Sequence, residues 1–379
     1  MKLLVISDTH DIELSDYSYL RKIAKEYEVE QIIHCGDIAL EHVSGELFGG
    51  LPVICALVGA EQADDPAYIK KCPDNWQFTV SEKRFVSLLD GTKAYVGHMR
   101  PWDALMKTEE EFNTILANLR IKFDGLRWVF GGHLHVQVLH QGSLVSLVNG
   151  GSFGNAINNS YEFAVIDTVS EDILFSRVLP GKPDKRQAWS LGVISDSLDV
   201  SYRDESFWLK LANELTGHGV KHIIHCGNLA LSDIGREELK DFTIYFAVRS
   251  DQLSDFRKLE NIPHNWKLIS GDKPDEGGVV DITVGEYKYR FYVQLDLGLK
   301  FVLKSDLDMN SVATEIRRQH PETEFLLCGF THQAVYFEGE QVVTLNPGDV
   351  VTDHSYAVIT LPKREIFFSR VPYDTLPPL

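Results

Sequence analysis

The sequence predicts an α/β fold that is built twice, as two tandem α/β-sandwich domains within one chain of 379 residues. Two observations support this fold class. Short apolar runs alternate with amphipathic helical segments, and the motifs of the first half return in the same order in the second half. The length agrees, because it exceeds one ordinary hydrophobic core and suits two domains of about 190 residues each.

The elements of the first half follow from hydrophobic periodicity. Residues 3–6 form a short apolar run that predicts a buried strand, and residues 17–27 place apolar side chains at helical spacing. Residues 29–35 and 53–58 predict the next two strands, and residues 107–123 predict a second amphipathic helix. Further strand-like runs occupy residues 128–130, 144–148 and 162–167. This alternation predicts a sandwich whose functional loops follow the C-terminal ends of strands.

An internal repeat relates the two halves. The sequence LVISD at 4–8 recurs as GVISD at 192–196, and IIHCGDIAL at 32–40 recurs as IIHCGNLAL at 223–231. Three more pairs keep this order: NW at 75–76 and 265–266, GHLH at 132–135 and GFTH at 329–332, and FSRV at 175–178 and 368–371. Such order predicts a tandem duplication. A Pro-, Gly- and charge-rich linker near 180–186 predicts domains at 1–182 and 188–379.

Composition narrows the class of protein. Hydrophobic residues make up 44% and charged residues 24% of the chain, as in globular domains. The net charge is −18 without a basic half, which argues against duplex nucleic acid and against a membrane surface as partner. No apolar run approaches a membrane span, and the N-terminal run is too short for a signal peptide. An odd set of five cysteines without close-spaced pairs agrees with a cytoplasmic location.

Ionisable side chains cluster where the predicted strands of the first half end. These residues are Asp8, His10, Asp37, His98, His133 and His135. An aspartate after a strand is commonly a turn former or helix cap, so none of them indicates a site by itself. Together, carboxylates and imidazoles at one sheet edge suit a pair of borderline divalent ions such as Mn, Fe, Ni or Zn. By contrast, His34 recurs as His225 and is predicted to be structural, and His140 is predicted to lie at the surface.

The motifs Asp-x-His, Gly-Asp, Gly-His and Gly-His-x-His, in this order, resemble those of the calcineurin-like metallophosphoesterases. Their short spacing resembles the small phosphodiesterase branch, which includes a metal-poor retromer subunit. The sequence NGGS at 149–152 is similar to that branch's Asn-Pro-Gly-Ser signature. The resemblance covers both halves, and it implies a dinuclear metal site. It assigns the first ion to Asp8, His10, Asp37 and His135, and the second to Asp37, His98 and His133. It also implies that Asp37, as the bridging ligand, and His98 are catalytic.

One position departs from the family's pattern. Where the family has an asparagine ligand for the second ion, the motif here reads Gly59-Ala60-Glu61-Gln62, and alanine cannot coordinate a metal. The second ion is therefore expected to bind more weakly, unless Glu61 or Gln62 supplies an oxygen. Activity would then depend on added metal.

The second half has lost most of the ligand types that the resemblance implies. The substitutes are Leu198, Asn228, Ser250, Leu295 and Phe330, and only Asp196 and His332 remain. The second half is therefore predicted to be a degenerate, pseudoenzyme-like domain. It would serve as an intramolecular pseudo-dimer partner or as the docking site of a protein partner.

Two functions follow from these features. The first is a metal-dependent phosphoesterase, most simply a phosphodiesterase, in which metal-bound hydroxide in the N-terminal domain hydrolyses small phosphoesters. The alternative is a catalytically weak or inactive interaction module on the same fold. Cyclic nucleotides, other phosphodiesters and small phosphomonoesters all remain open as substrates.

Overall fold

The computed structural model describes residues 1–58, 72–80, 84–98, 109–142, 144–154, 160–179, 186–197, 206–248, 250–256, 262–269, 277–294, 306–329, 333–339, 342–350 and 354–372. By its internal contacts the chain divides into two compact units, Met1–Pro183 and Asp184–Leu379. We call them the N-terminal and the C-terminal domain and describe each by itself.

The N-terminal domain contains two described α-helices and eleven described strands. The helices are α1 (Tyr17–Glu26) and α2 (Glu109–Lys122). The strands are β1 (Lys2–Ile6), β2 (Gln31–His34), β3 (Val53–Ala56), β4 (Trp76–Thr79), β5 (Phe85–Ser87), β6 (Lys93–Val96), β7 (Leu126–Gly131), β8 (Gln137–Gln141), β9 (Ser146–Gly150), β10 (Tyr161–Asp167) and β11 (Ile173–Val178).

These strands form two sheets. In the first, the order is β11-β10-β1-β2-β3-β4, with β1 to β4 parallel and β10 antiparallel to β1. In the second, the order is β8-β9-β7-β6-β5, with β6, β7 and β9 parallel. Ser7 and Ser152 form an isolated parallel bridge. Since parallel strands direct their C-terminal ends the same way, the loops after β1 and β2 share one edge of their sheet.

Burial explains why these segments form these elements. The apolar side chains of β1 and β2 are almost completely buried, as expected for parallel strands covered on both faces. Helix α1 buries one stripe, formed by Tyr17, Leu20, Ile23 and Ala24, against this sheet's core. The prediction that His140 lies at the surface is wrong: it is 3% exposed, because it belongs to β8, whose residues are nearly all buried.

The C-terminal domain repeats this architecture. Its helices are α3 (Phe207–Gly217), α4 (Ser250–Phe256) and α5 (Asp306–Gln319). Its strands are β12 (Trp189–Ile194), β13 (Val220–His225), β14 (Thr243–Phe246), β15 (Trp266–Leu268), β16 (Gly278–Val284), β17 (Tyr287–Gln294), β18 (Thr323–Cys328), β19 (Ala334–Glu338), β20 (Val343–Pro347), β21 (Ser355–Leu361) and β22 (Glu365–Arg370).

The strand orders of this domain are β15-β14-β13-β12-β21-β22 and β16-β17-β18-β20-β19. Parallel and antiparallel pairs fall at the same places as in the N-terminal domain. The predicted fold class, two tandem α/β domains, is therefore confirmed. No helix among the described residues is long and apolar enough to span a membrane.

Candidate metal centre

Loops at the ends of four strands of the N-terminal domain carry the candidate site. Asp8 follows β1, Asp37 follows β2, His98 follows β6, and His133 and His135 lie between β7 and β8. The amide of Asp8 donates to the carbonyl of Gly36 at 3.0 Å, and the amide of Thr9 donates to the carbonyl of Asp37 at 3.0 Å. The first two loops are therefore tied to each other through their backbones.

The centre of the cluster is formed by Asp8, Asp37 and His98. One side-chain ligand atom from each lies within 4.8 Å of the other two. Asp8 and His98 are buried, whereas the Asp37 side chain is 38% exposed. Such a set of two carboxylates and one imidazole has the chemistry of a divalent-metal site.

The remaining three histidines each approach a member of this central group. His135 Nε2 lies 3.3 Å from Asp8 Oδ1, and His10 Nδ1 lies 3.4 Å from Asp37 Oδ2. His133 Nδ1 lies 3.2 Å from His98 Nε2. The structure thus brings all six predicted side chains to one place.

These separations can be tested against metal geometry. Zinc bonds of about 2.0–2.2 Å to nitrogen and oxygen place two ligands of one tetrahedral ion about 3.3–3.6 Å apart, and ligands at right angles about 2.8–3.1 Å apart. The observed 3.2, 3.3 and 3.4 Å lie within this span. In addition, the buried Asp8 Oδ1 accepts no hydrogen bond from any residue that the structure describes. The residues present therefore fit divalent cations.

The backbone at these loops is unusual in a way that serves the site. Asp8, Asp37, His133 and His135 all have positive φ, between 53° and 71°. Residues other than glycine adopt this region at a cost of about 1–2 kcal/mol, so the surrounding structure must hold them there. At Gly36, with φ of 101°, a Cβ would stand 2.7 Å from the Cβ of His98. Only glycine allows this approach.

The protonation state of His98 suits a metal ligand. Its Nδ1–H donates to the carbonyl oxygen of Cys35 at 3.0 Å, which leaves the lone pair of Nε2 directed at the cluster. Burial, assisted by the neighbouring His133, lowers the pKa of His98 against the opposite effect of Asp8 and Asp37. A neutral imidazole is the form that binds a metal ion.

Serine side chains that the sequence analysis passed over hold Asp8. The Ser7 hydroxyl donates to Asp8 Oδ2 and lies 2.9 Å from the carbonyl oxygen of Gly151. The Ser152 hydroxyl donates to the carbonyl of Asp8 at 3.2 Å, and the His133 amide donates to Asp8 Oδ2 at 3.2 Å. The repeat contained a signal for Ser7, because serine also precedes Asp196 in the second half.

The C-terminal domain keeps the loops but changes the chemistry. Ser195 again donates to the following aspartate, at 2.7 Å from Asp196 Oδ2, and the φ angles of Asp196 and Asn228 are 58° and 56°. Asn228, which stands where Asp37 does, donates from Nδ2 to Asp196 Oδ1 at 3.2 Å. The side-chain amide of Asn228 therefore donates a hydrogen bond to the Asp196 carboxylate. A carboxylate in place of Asn228 would repel Asp196 unless a cation lay between the two.

Several predicted positions fall outside the described residues. They are Gly59, Ala60, Glu61 and Gln62 in the N-terminal domain, and Leu198, Leu295, Phe330 and His332 in the C-terminal domain. Ser250 is described only as the first residue of α4. The weakened second ion site therefore stays a prediction from the sequence.

The model of the calcineurin-like phosphoesterase superfamily domain matches the chain twice, at residues 1–171 and 190–363. A search of curated proteins finds no match.

Among solved structures, the chain is similar to a novel archaeal phosphodiesterase, with 21% identity, a TM-score of 0.35, and coverage of 47% of this chain and 100% of that one. It is also similar to Vps29 complexed with zinc from Entamoeba histolytica, with 13% identity, a TM-score of 0.32, and coverage of 48% and 95%. For YfcE, a phosphoesterase from E. coli, the identity is 17%, the TM-score 0.29, and the coverage 47% and 93%.

Proposed function

Because the chain belongs to the calcineurin-like phosphoesterase superfamily, we propose that its N-terminal domain is a metal-dependent hydrolase of small phosphoesters, most simply phosphodiesters. The observation that carries this proposal is the convergence of Asp8, Asp37 and His98, whose ligand atoms lie within 4.8 Å of one another. Two carboxylates held this close need a counter-charge, and a divalent ion supplies it.

The contacts support two ligand sets. In the first, His135 approaches Asp8 at 3.3 Å, His10 approaches Asp37 at 3.4 Å, and a carboxylate oxygen of Asp8 lies within 4.8 Å of one of Asp37. His98 and His133 form the second group, which Asp37 joins to the first. We propose two ions, held by these groups, with the second bound more weakly because Ala60 offers no ligand. Mn, Fe, Ni and Zn all suit these donors.

When bound, the ions would neutralise charge on the phosphoryl group and lower the pKa of a coordinated water towards about 7. The chain's own residues prepare the site for them. Asp37 would offer its carboxylate to both ions from a position that is 38% exposed, where an entering phosphoester could reach it. His98 presents the lone pair of Nε2 because Cys35 fixes its tautomer, and Ser7 and the His133 amide orient Asp8 Oδ2.

We further propose that the C-terminal domain does not catalyse. The supporting observation is the hydrogen bond that Asn228 donates to Asp196, because it occupies a carboxylate oxygen that would otherwise be available to an ion. The same observation favours a second candidate function, a catalytically weak or silent interaction module. This candidate requires that the N-terminal site too has little turnover.

Turnover of two activated substrates tests these proposals. The full chain is stripped with a chelator, reloaded separately with each candidate metal, and assayed on bis(4-nitrophenyl) phosphate and 4-nitrophenyl phosphate. We expect metal-dependent turnover that Asp37→Asn abolishes, with the diester preferred. The change Asp196→Asn, at the aspartate of the C-terminal domain that matches Asp8, should leave turnover intact. Absence of turnover with every metal would refute the enzyme and favour the interaction module.

A further inference from the structure

We infer that the Tyr17 hydroxyl of helix α1 is a positioning group for the metal centre, acting through Thr9 on the Asp8–His10 turn. Tyr17 touches none of the six metal-site side chains in the contacts described above. Its phenol is fully buried and donates to Thr9 Oγ1 at 3.1 Å. This inference rests on the proposed metal-dependent function.

The hydrogen bonds around Thr9 have only one consistent set of directions. The Gly36 amide donates to His34 Nδ1 at 3.2 Å, so the ring proton of His34 is on Nε2. His34 Nε2–H therefore donates to Thr9 Oγ1, at 3.0 Å. Together with the bond from Tyr17, both lone pairs of the Thr9 hydroxyl are occupied. The Thr9 side chain is thereby fixed between α1 and the last residue of β2, just before the loop that carries Asp37.

This fixed side chain lies between two predicted ligands of the first ion. Thr9 directly follows Asp8, whose φ of 53° is held against its own preference, and directly precedes His10. The amide of Thr9 also donates to the carbonyl of Asp37 at 3.0 Å. A change in the Thr9 side chain is therefore transmitted to the backbone that aims Asp8, His10 and Asp37.

The duplicated domain separates what the scaffold needs from what the metal site needs. There, His225 Nε2 lies 2.9 Å from Ser197 Oγ, and the Gly227 amide donates to His225 Nδ1 at 3.2 Å, so the tie between the loops is kept. In helix α3, the residue that matches Tyr17 is Trp208, because the buried residues three and seven positions later are Leu20 and Ala24 in α1 and Leu211 and Leu215 in α3. Tryptophan has no hydroxyl, and Trp208 is buried all the same, at 1% exposure.

The hydrogen bond from this helix position to the loop is thus present in the domain that keeps the ligands, and none from Trp208 to Ser197 is found among the described residues of the domain that has lost them. Folding of the scaffold does not require the phenol, since α3 packs in the core with tryptophan at this place. We explain the hydroxyl of Tyr17 instead by its effect on the metal ligands, because through Thr9 it fixes the backbone that positions Asp8 and His10. Groups one step removed from ligands commonly change metal affinity 10–100-fold.

The test compares Tyr17→Phe with two controls in the full chain. Tyr19→Phe removes a phenol from the same helix, and Trp208→Tyr adds one at the matching place of the C-terminal domain. Affinity for Zn²⁺ and for Mn²⁺ is measured by titration against a chromophoric chelator, and the stability of the metal-free chain by urea unfolding. We expect Tyr17→Phe to weaken binding of the tighter ion about 10-fold or more, while the unfolding midpoint in chelator changes little. Neither control should alter affinity.

A second pair of variants tests the path through Thr9. Thr9→Ser keeps the hydroxyl, as in Ser197, and should bind metal nearly as tightly as the wild type. Thr9→Val removes the hydroxyl and should weaken binding as Tyr17→Phe does, with no further loss in the double variant. Wild-type affinity in Tyr17→Phe would overturn the inference and leave the proposed function standing. If the wild type binds neither metal, both fail together.

Discussion

Replacing Asp37 with asparagine should have opposite effects on the metal-free and the metal-loaded protein. The change is a mild one for the backbone, because Asn228 occupies the matching place with φ of 56°, close to the 58° of Asp37. Alanine would add backbone strain in this region, since it lacks the local hydrogen bonding that lets asparagine adopt it. Asp37→Asn therefore isolates the loss of one negative charge.

The size of the effect follows from the separation of the carboxylates. At 4.8 Å, the upper limit of the separation between their ligand atoms, two unit charges repel each other by about 0.9 kcal/mol in bulk water and by about 3.5 kcal/mol at an effective dielectric constant of 20. The Asp37 side chain is 38% exposed, so a value towards the lower end applies. We expect Asp37→Asn to stabilise the metal-free chain by about 1–2 kcal/mol, or about 2–8 °C in Tm.

In the presence of metal the order should reverse. An ion at 100 times its Kd stabilises the wild type by about 2.7 kcal/mol, and Asp37→Asn should lose most of this gain because its bridging ligand is gone. Thermal unfolding of both proteins is measured with a chelator and then with Zn²⁺ or Mn²⁺. If Asp37→Asn is less stable than the wild type in chelator, and metal stabilises both proteins equally, then Asp8 and Asp37 do not form a metal site of two repelling carboxylates.

Three further predictions follow. Asn228→Asp should destabilise the metal-free chain by about 1–2 kcal/mol, since it places a second carboxylate beside Asp196; an unchanged Tm would contradict this. Ala60→Asn should tighten the weaker ion about 10–100-fold in a calorimetric titration, and unchanged or weaker binding would count against a missing ligand. Burial lowers the pKa of His34 and of His225 to about 3, so the unfolded chain binds protons that the folded chain does not once the pH falls below about 6.5. As the pH falls from about 6.5 to about 3, each histidine should therefore lower the free energy of unfolding by up to about 1.4 kcal/mol per pH unit. A free energy of unfolding in urea that stays constant over this range would contradict this prediction.

The sequence predicted the strand ends well because that information is local. The apolar runs at residues 3–6 and 53–58 predict strands, and the structure has β1 at Lys2–Ile6 and β3 at Val53–Ala56. The repeat added an internal comparison, which separated shared residues such as His34 from Asp37, whose counterpart is an asparagine. Family membership and fold class, both predicted from these motifs, are confirmed.

What the sequence could not predict depends on contacts between distant residues. Tyr17 was recognised only as part of an apolar helix face, since periodicity does not show that its hydroxyl reaches Thr9. The approach of His135 to Asp8 joins residues 127 positions apart, and it is made by packing of two sheets. His140 was misplaced because a polar residue alone gives no sign that its strand is buried on both faces.

Locating the bound ions tests the central claim most directly. Crystals of the full chain grown with Mn²⁺ or Zn²⁺ would be measured at the absorption edge of that metal, so that anomalous scattering marks each ion. We predict a strong peak in contact with Asp8 and Asp37, a weaker one beside His98 and His133, and none at Asp196. An anomalous peak at Asp196 with none between Asp8 and Asp37 would contradict the account.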